Sequence, residues 1–256
     1  MNLLFLGTSS GWPIPRLGCQ CSICTSQDKR DKRSRPSLLV NSSILLDAPI
    51  DIYQSFLKYK INSSKLTHII ITHSHDDHIL GLYDLCHIYN LPQKITLITT
   101  AGILQQIRRR MSQSLDCFHI KELEPYKKIE LGDNISSCSL IPVEHGNIEA
   151  YGIKISAPDP IFYAPEFRRI SPTTIKHIGS LEILIIDGSS KNRLGQAKGH
   201  ETIEEGIKLG NQIQTKKVFF TNIGHKTDTY ENLQFFVRRK GGRMFNIAFD
   251  GLDLSL

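Results

Sequence analysis

Six consecutive residues constrain this chain most. His73-Ser74-His75-Asp76-Asp77-His78 forms an H-x-H-x-D-H cluster directly after the apolar run Leu66 to Thr72. The Ile-rich composition and short length of that run mark a buried strand, and Ile79 to Tyr89 reads as a helix. His73, His75, Asp77 and His78 therefore lie on one strand-to-helix loop, where an extended backbone aims alternate side chains at one point. Imidazole nitrogens with a carboxylate oxygen suit Zn²⁺, Mn²⁺ or Fe. A chance cluster of surface histidines is the competing reading, and it is disfavoured because the chain has only 10 His in 256 residues.

Strands and helices alternate around that cluster. Leu3–Leu6, Ile44–Asp47, Ile69–Thr72, Ile95–Thr99, Ser139–Val143, Tyr151–Ile155, Ile183–Asp187 and Lys217–Thr221 read as strands. Ile50–Tyr59, Ile79–Tyr89, Ala101–Met111, Thr202–Gln212 and Glu231–Arg239 read as helices. Strands in both halves predict two sheets covered by helices, an α/β four-layer αββα sandwich. The expected organisation is one domain over residues 1–256, with a Cys-bearing insertion near residues 16–36.

No apolar run approaches the roughly 20 residues needed to span a bilayer. The N-terminus lacks the basic and apolar regions of a signal peptide. The expectation is a cytoplasmic protein without a membrane partner. Net charge is +6 and the pI is about 9.0, which favours a small anionic substrate. A nucleic-acid partner is compatible with that charge but not favoured. The basic clusters at residues 29–35, 108–110 and 238–240 carry no interleaved aromatics and read as solvated faces. A homodimer is left open.

Cys19, Cys21 and Cys24 lie within six positions, whereas Cys86, Cys117 and Cys138 are scattered and read as buried small apolar side chains. Without a secretion signal, the tight cluster argues for metal rather than disulfides.

Four segments share the order of a known family: Gly7-Thr8-Ser9-Ser10-Gly11, Leu46-Asp47-Ala48, the stretch Thr72 to Gly81, and Pro142-Val143-Glu144-His145. On these the chain resembles the metallo-β-lactamase superfamily over its full length. The Cys-x-Cys-x-x-Cys insertion makes it similar to the cyclic phosphodiesterase of phosphonate breakdown. Phe162-Tyr163-Ala164-Pro165, Ile186-Asp187-Gly188 and Phe249-Asp250-Gly251 resemble the B protein of pyrroloquinoline quinone biosynthesis.

The resemblance implies a first metal on His73, His75 and His145. It implies a second on Asp77, His78, a late His and an Asp shared by both ions. Ala164 stands at the shared position and Asn222 at the late one, so the expectation is one tight metal with a second weak or absent. Glu166 and Asp187 are the candidates to replace the shared carboxylate. Asp47 and Asp250 are expected to orient ligand histidines. His225 is implied as the fourth ligand of a structural zinc with Cys19, Cys21 and Cys24. His200, before the helix from Thr202, is implied as a substrate-phosphate histidine.

The function expected is that of a metal-dependent hydrolase, a phosphodiesterase acting on a small or cyclic phosphate ester by metal-activated water. Its ions would be Zn or Mn at the His cluster, with Fe as a further option. In that scheme Asp77 orients the water or takes its proton, and His200 stabilises charge on the oxygens. Two alternatives stand beside it. One is a quinone-pathway-like biosynthetic protein with a single redox metal. The other is a non-catalytic metal-binding member with a degraded dinuclear site.

Overall fold

The computed structural model describes residues 1–89, 91–111, 115–132, 137–194 and 196–256. The first sheet is built from β1 (Asn2–Gly7), β2 (Ser37–Val40), β3 (Ile44–Leu46), β4 (His68–Ile70), β5 (Thr96–Thr99) and β6 (His119–Glu122). The second holds β7 (Lys128–Ile129), β8 (Ser137–His145), β9 (Ile148–Ser156), β10 (Ile161–Ala164), β11 (Leu181–Asp187), β12 (Thr215–Thr221) and β13 (Phe245–Ile247). β14 (Asp253–Ser255) returns to the first sheet beside β1, giving the order β14-β1-β2-β3-β4-β5-β6. The second sheet runs β13-β12-β11-β10-β9-β8-β7.

The helices are α1 (Ser22–Thr25), α2 (Ile52–Lys58), α3 (Asp76–Ile79), α4 (Leu82–Cys86), α5 (Ala101–Met111), α6 (Pro172–Ile178), α7 (Ile203–Gln212) and α8 (Tyr230–Gly241). α7 packs on β11 and β12, and α8 on β13, so both cover the second sheet. Buried side chains of α2, α4 and α5 join the core that contains the first sheet. This is the four-layer αββα sandwich.

The strand period of two explains why β11 reads as an unbroken apolar run. Ile183 and Ile185 enter the core between the sheets, while Leu184 and Ile186 enter the core beneath α7 and α8. A strand buried on both faces needs no polar alternation. β10 follows the same rule: Ile161 and Tyr163 face the sandwich interior, Phe162 and Ala164 the helix layer. β10, β11 and β12 run parallel. Their C-terminal ends open together, where ligands gather in such sheets.

Several elements differ from the sequence reading. The helix expected over 79–89 is two short ones, and Asp77 and His78 lie in α3 rather than on the loop. Gly81 breaks the helix because its N–H goes to the Ala48 carbonyl at 2.9 Å. A Cβ there would also strike the Pro49 carbonyl. Cys86 and Cys117 are not free apolar thiols. They are disulfide-bonded, with Cα atoms 5.5 Å apart, whereas Cys138 is free and buried.

Arg33, expected on a solvated face, is fully buried. Its Nη1 donates to Thr8 Oγ1 at 2.8 Å and to the Ala248 carbonyl at 2.6 Å. Asp250 orients no histidine. It accepts from Thr8 Oγ1 at 2.7 Å and from the Ser34 N–H at 2.6 Å, bracing the β1–β2 connection. Among the described residues no helix is long and apolar enough to cross a membrane.

Candidate metal centre

Two contacts between the sheets bring the histidines together. Thr72, after β4, accepts the Tyr151 N–H from β9 at 2.9 Å, and His73 bridges Ala150. His145, at the end of β8, is thereby set across from His73, with ring centroids 5.1 Å apart. His73 Nε2 and His75 Nδ1 lie 3.0 Å apart, and His145 Nε2 is 3.4 Å from the same His75 atom.

Three of the rings are oriented through Nδ1. The Thr72 hydroxyl gives its proton to Asp47 Oδ2 at 2.9 Å, so His73 Nδ1 donates to Thr72 Oγ1, also at 2.9 Å. His78 Nδ1 donates to Asp47 Oδ2 at 2.8 Å, and His145 Nδ1 to the Gly199 carbonyl at 2.7 Å. A carboxylate and a carbonyl can only accept. In the neutral rings the Nε2 atoms of His73, His78 and His145 are then lone pairs, the tautomer in which a metal-binding imidazole is held. Asp47 stands where the sequence reading placed it, and its own φ of +60° lies in the left-handed region.

The carboxylate among these rings is Glu166, whose side chain is 3% exposed. Its Oε2 lies 2.9 Å from His145 Nε2, 3.3 Å from His73 Nε2 and 3.7 Å from His75 Nδ1. Its Oε1 lies 3.3 Å from His78 Nε2. Ala164 cannot play this part, because the β10 alternation turns it toward Phe162 in the helix-side core. Asp187 is engaged elsewhere, accepting from His200 Nδ1 at 2.7 Å.

Acceptors thus face acceptors at the centre, an arrangement a cation reconciles. His73, His75, His145 and Glu166 form one group of donor atoms within 4.8 Å of one another, and Asp77, His78 and Glu166 a second. The donor set fits metal ions, with nitrogen and carboxylate ligands and an open side at His75, which is 43% exposed. The surrounding carboxylates favour positive charge at His78. Burial disfavours charge on His78, but Asp47, Asp77 and Glu166 outweigh it and hold the imidazole well above its ordinary range. Burial pushes His73 down to about 4, with the His78 charge adding to it. Asn222 is fully buried, in the left-handed region at φ +59°, and neither amide atom has a hydrogen-bond partner.

His200 does not serve a helix N-terminus, because Thr202 caps α7. Its ring instead meets His145, centroids 4.9 Å apart. Burial opposes its charge, yet Asp187 beside it holds it up at about 9. A cleft of about 470 Å³ lies over the cluster, and Trp12, Asp77, Glu166, His200 and Lys226 are among its lining residues.

The other cluster sits on the same cleft. Cys19 Sγ and Cys21 Sγ are 3.5 and 3.9 Å from His225 Nδ1, and Cys24 Sγ completes a group within 4.8 Å. Arg16 N–H donates to Cys24 Sγ at 3.3 Å.

The family model described as a beta-lactamase superfamily domain matches residues 42–223. The chain belongs to the beta-lactamase superfamily. It is a hydrolase-like member with the metallo-β-lactamase fold, which implies metal ions. The octanoyltransferase of Porphyromonas gingivalis (strain ATCC BAA-308 / W83) is 26% identical to it over 243 residues, 90% of this chain and 47% of that protein. The chain thus spans about half the length of that relative. Two solved structures share the fold. A diphosphatase from the PhnP family has a TM-score of 0.87 at 24% identity, covering 100% of this chain and 97% of that one. Zn²⁺-bound PqqB from Methylobacterium extorquens has a TM-score of 0.84 at 23% identity, covering 100% of both chains.

Sequence reasoning missed the Thr72 and Gly199 contacts that orient the imidazoles. It held Glu166 only as one of two candidates. The available signal was its place as the acid nearest the Tyr163-Ala164-Pro165 turn.

Proposed function

We propose that this superfamily member is a metal-dependent phosphodiesterase acting on a small phosphate ester. The observation that carries the reading is the convergence of oriented Nε2 lone pairs on Glu166 beneath a cleft that also holds His200. His73, His75, His145 and Glu166 would hold one ion. Asp77, His78 and Glu166 would hold a second, with Glu166 shared between them. This revises the expectation of a single tight metal. Zn or Mn suits the donors. Such ions supply Lewis acidity toward a phosphoryl oxygen and acidify water in the site. Cys19, Cys21, Cys24 and His225 would hold a structural zinc, closed by four protein ligands.

This chain's own residues do the rest. Asp77 lines the cleft with its side chain 19% exposed, placed to accept a proton from attacking water. His200 has Nδ1 committed to Asp187, so Nε2 is the atom that can meet a ligand. It donates to a phosphoryl or leaving oxygen as negative charge develops there. The test is hydrolysis of bis(p-nitrophenyl) phosphate by the full-length protein supplied with Mn²⁺ or Zn²⁺. Turnover supports the reading, and no turnover with either ion overturns it.

A further inference from the structure

The cleft wall carries a group that the hydrolytic reading does not use. Trp12 is the chain's single tryptophan, and it stands 60% exposed at the lining. Other large side chains are as exposed, Tyr83 and Phe235 among them, but Trp12 shares a cleft with Asp77 and His200. Its setting does not suit an apolar docking face, because Ser10, Asp77, Ser190, Gln196, His200 and Lys226 share the cleft.

The backbone that carries the ring is held in place. The Trp12 carbonyl accepts from Ser9 Oγ at 2.6 Å, and the preceding Gly11 carbonyl accepts from Arg35 Nε at 3.0 Å. The Arg16 guanidinium lies 5.1 Å from the ring centroid, over one face. Arg16 Nη1 is itself 3.4 Å from His225 Nε2, so the Cys cluster anchors this wall. The platform is also close to the reactive end. A Cβ on Gly11 would sit 2.9 Å from Asp77 Oδ2, and Trp12 is the next residue, about 3.8 Å further along the chain. Trp12, Asp77 and His200 line one cleft, so the substituent of a phosphoester held beside His200 can extend toward Trp12.

We propose that Trp12 is a stacking platform for a flat aromatic group on the ester arm, which makes nucleoside phosphodiesters the preferred substrates. The inference rests on reading the His cluster as a phosphoester site. The open face of Trp12 takes the base, because every base offers a π-face to an aromatic ring. Arg16 and Lys226 supply positive charge along the rim. A cleft of about 470 Å³ falls in the range of pockets that hold ligands of this size.

The test is calorimetric titration of the full-length protein with AMP, ribose 5-phosphate and inorganic phosphate, with Trp12 emission recorded in parallel. AMP is expected to bind about tenfold or more tighter than ribose 5-phosphate, the size of one base stack, and to quench the emission. Trp12→Ala should remove that preference and Trp12→Phe should keep most of it; an exposed ring leaves both variants free to fold. Equal binding of AMP and ribose 5-phosphate, or a preference that survives in Trp12→Ala, overturns the platform. Turnover separates the two readings. Trp12-dependent AMP binding without diester cleavage upholds the platform and removes the hydrolase. Cleavage of thymidine 5′-p-nitrophenyl phosphate at an undiminished rate in Trp12→Ala keeps the hydrolase and removes the platform.

Discussion

The His/Glu cluster and the Cys cluster flank one cleft, and each gathers its donor atoms within 4.8 Å, yet they are prepared differently. At the first, three imidazoles are fixed by acceptors: the adjacent Thr72 for His73, and the distant Asp47 and Gly199 carbonyl for His78 and His145. At the second, three thiols come from one short insertion and meet a single distant ring, His225. Holding an open, reactive site requires each ring's tautomer and plane to be set from outside. In the proposed reading the second is a closed thiolate site, which needs little beyond ligand spacing and would tie two stretches of chain together. Arg16 ties the Cys cluster to the cleft wall, contacting Cys24, His225 and Trp12.

That difference can be broken or sharpened by mutation. The largest effect is expected at Asp77. Asp77→Ala should cut the rate on bis(p-nitrophenyl) phosphate by roughly 10³–10⁴, the upper range for a lost proton acceptor. A rate within tenfold of the wild type would remove Asp77 from the chemistry. His200→Ala should lower the same rate by roughly 10²–10³, the size of one lost oxyanion contact, with metal content unchanged by elemental analysis. Loss of metal in that variant would instead make His200 part of the scaffold. Thr72→Val deletes the acceptor for His73 Nδ1, and titration against a chelator should show metal affinity lower by about 10–100-fold. Cys21→Ser should change the rate least, by less than about tenfold. It should lose about one zinc and about 2 kcal/mol of stability, a Tm drop of roughly 4–8 °C in calorimetry. If its Tm held while its activity vanished, the roles of the two clusters would have to be exchanged.

The sequence revealed the parts of the fold that are locally encoded. β11 and the end of β12 from Val218 are buried on both faces and read as apolar runs. β6 and β14 are short and largely exposed, so neither periodicity nor burial marked them. α3 and α4 read as one helix because the Gly81–Pro49 approach is a tertiary contact. The clustering of His73, His75 and His78 was legible from spacing. Glu166 was not singled out, since nothing local says that a carboxylate beyond the end of β10 reaches back among rings from both sheets. Arg33 looked like part of a solvated run and is buried by Thr8 and Ala248, far from it in sequence. The Cys86–Cys117 bond spans 31 residues and leaves no local trace.

The central claim is that Glu166 is the carboxylate shared by two ions at the His cluster. Elemental analysis of the wild type and Glu166→Gln, purified without added metal, tests it most directly. About three ions per chain are expected in the wild type, two at the shared-carboxylate centre and one in the thiolate site. Glu166→Gln should keep the thiolate zinc and lose at least one ion at the His cluster. A Glu166→Gln protein with undiminished metal content would contradict the account, as would a wild type holding only the ion that Cys21→Ser removes.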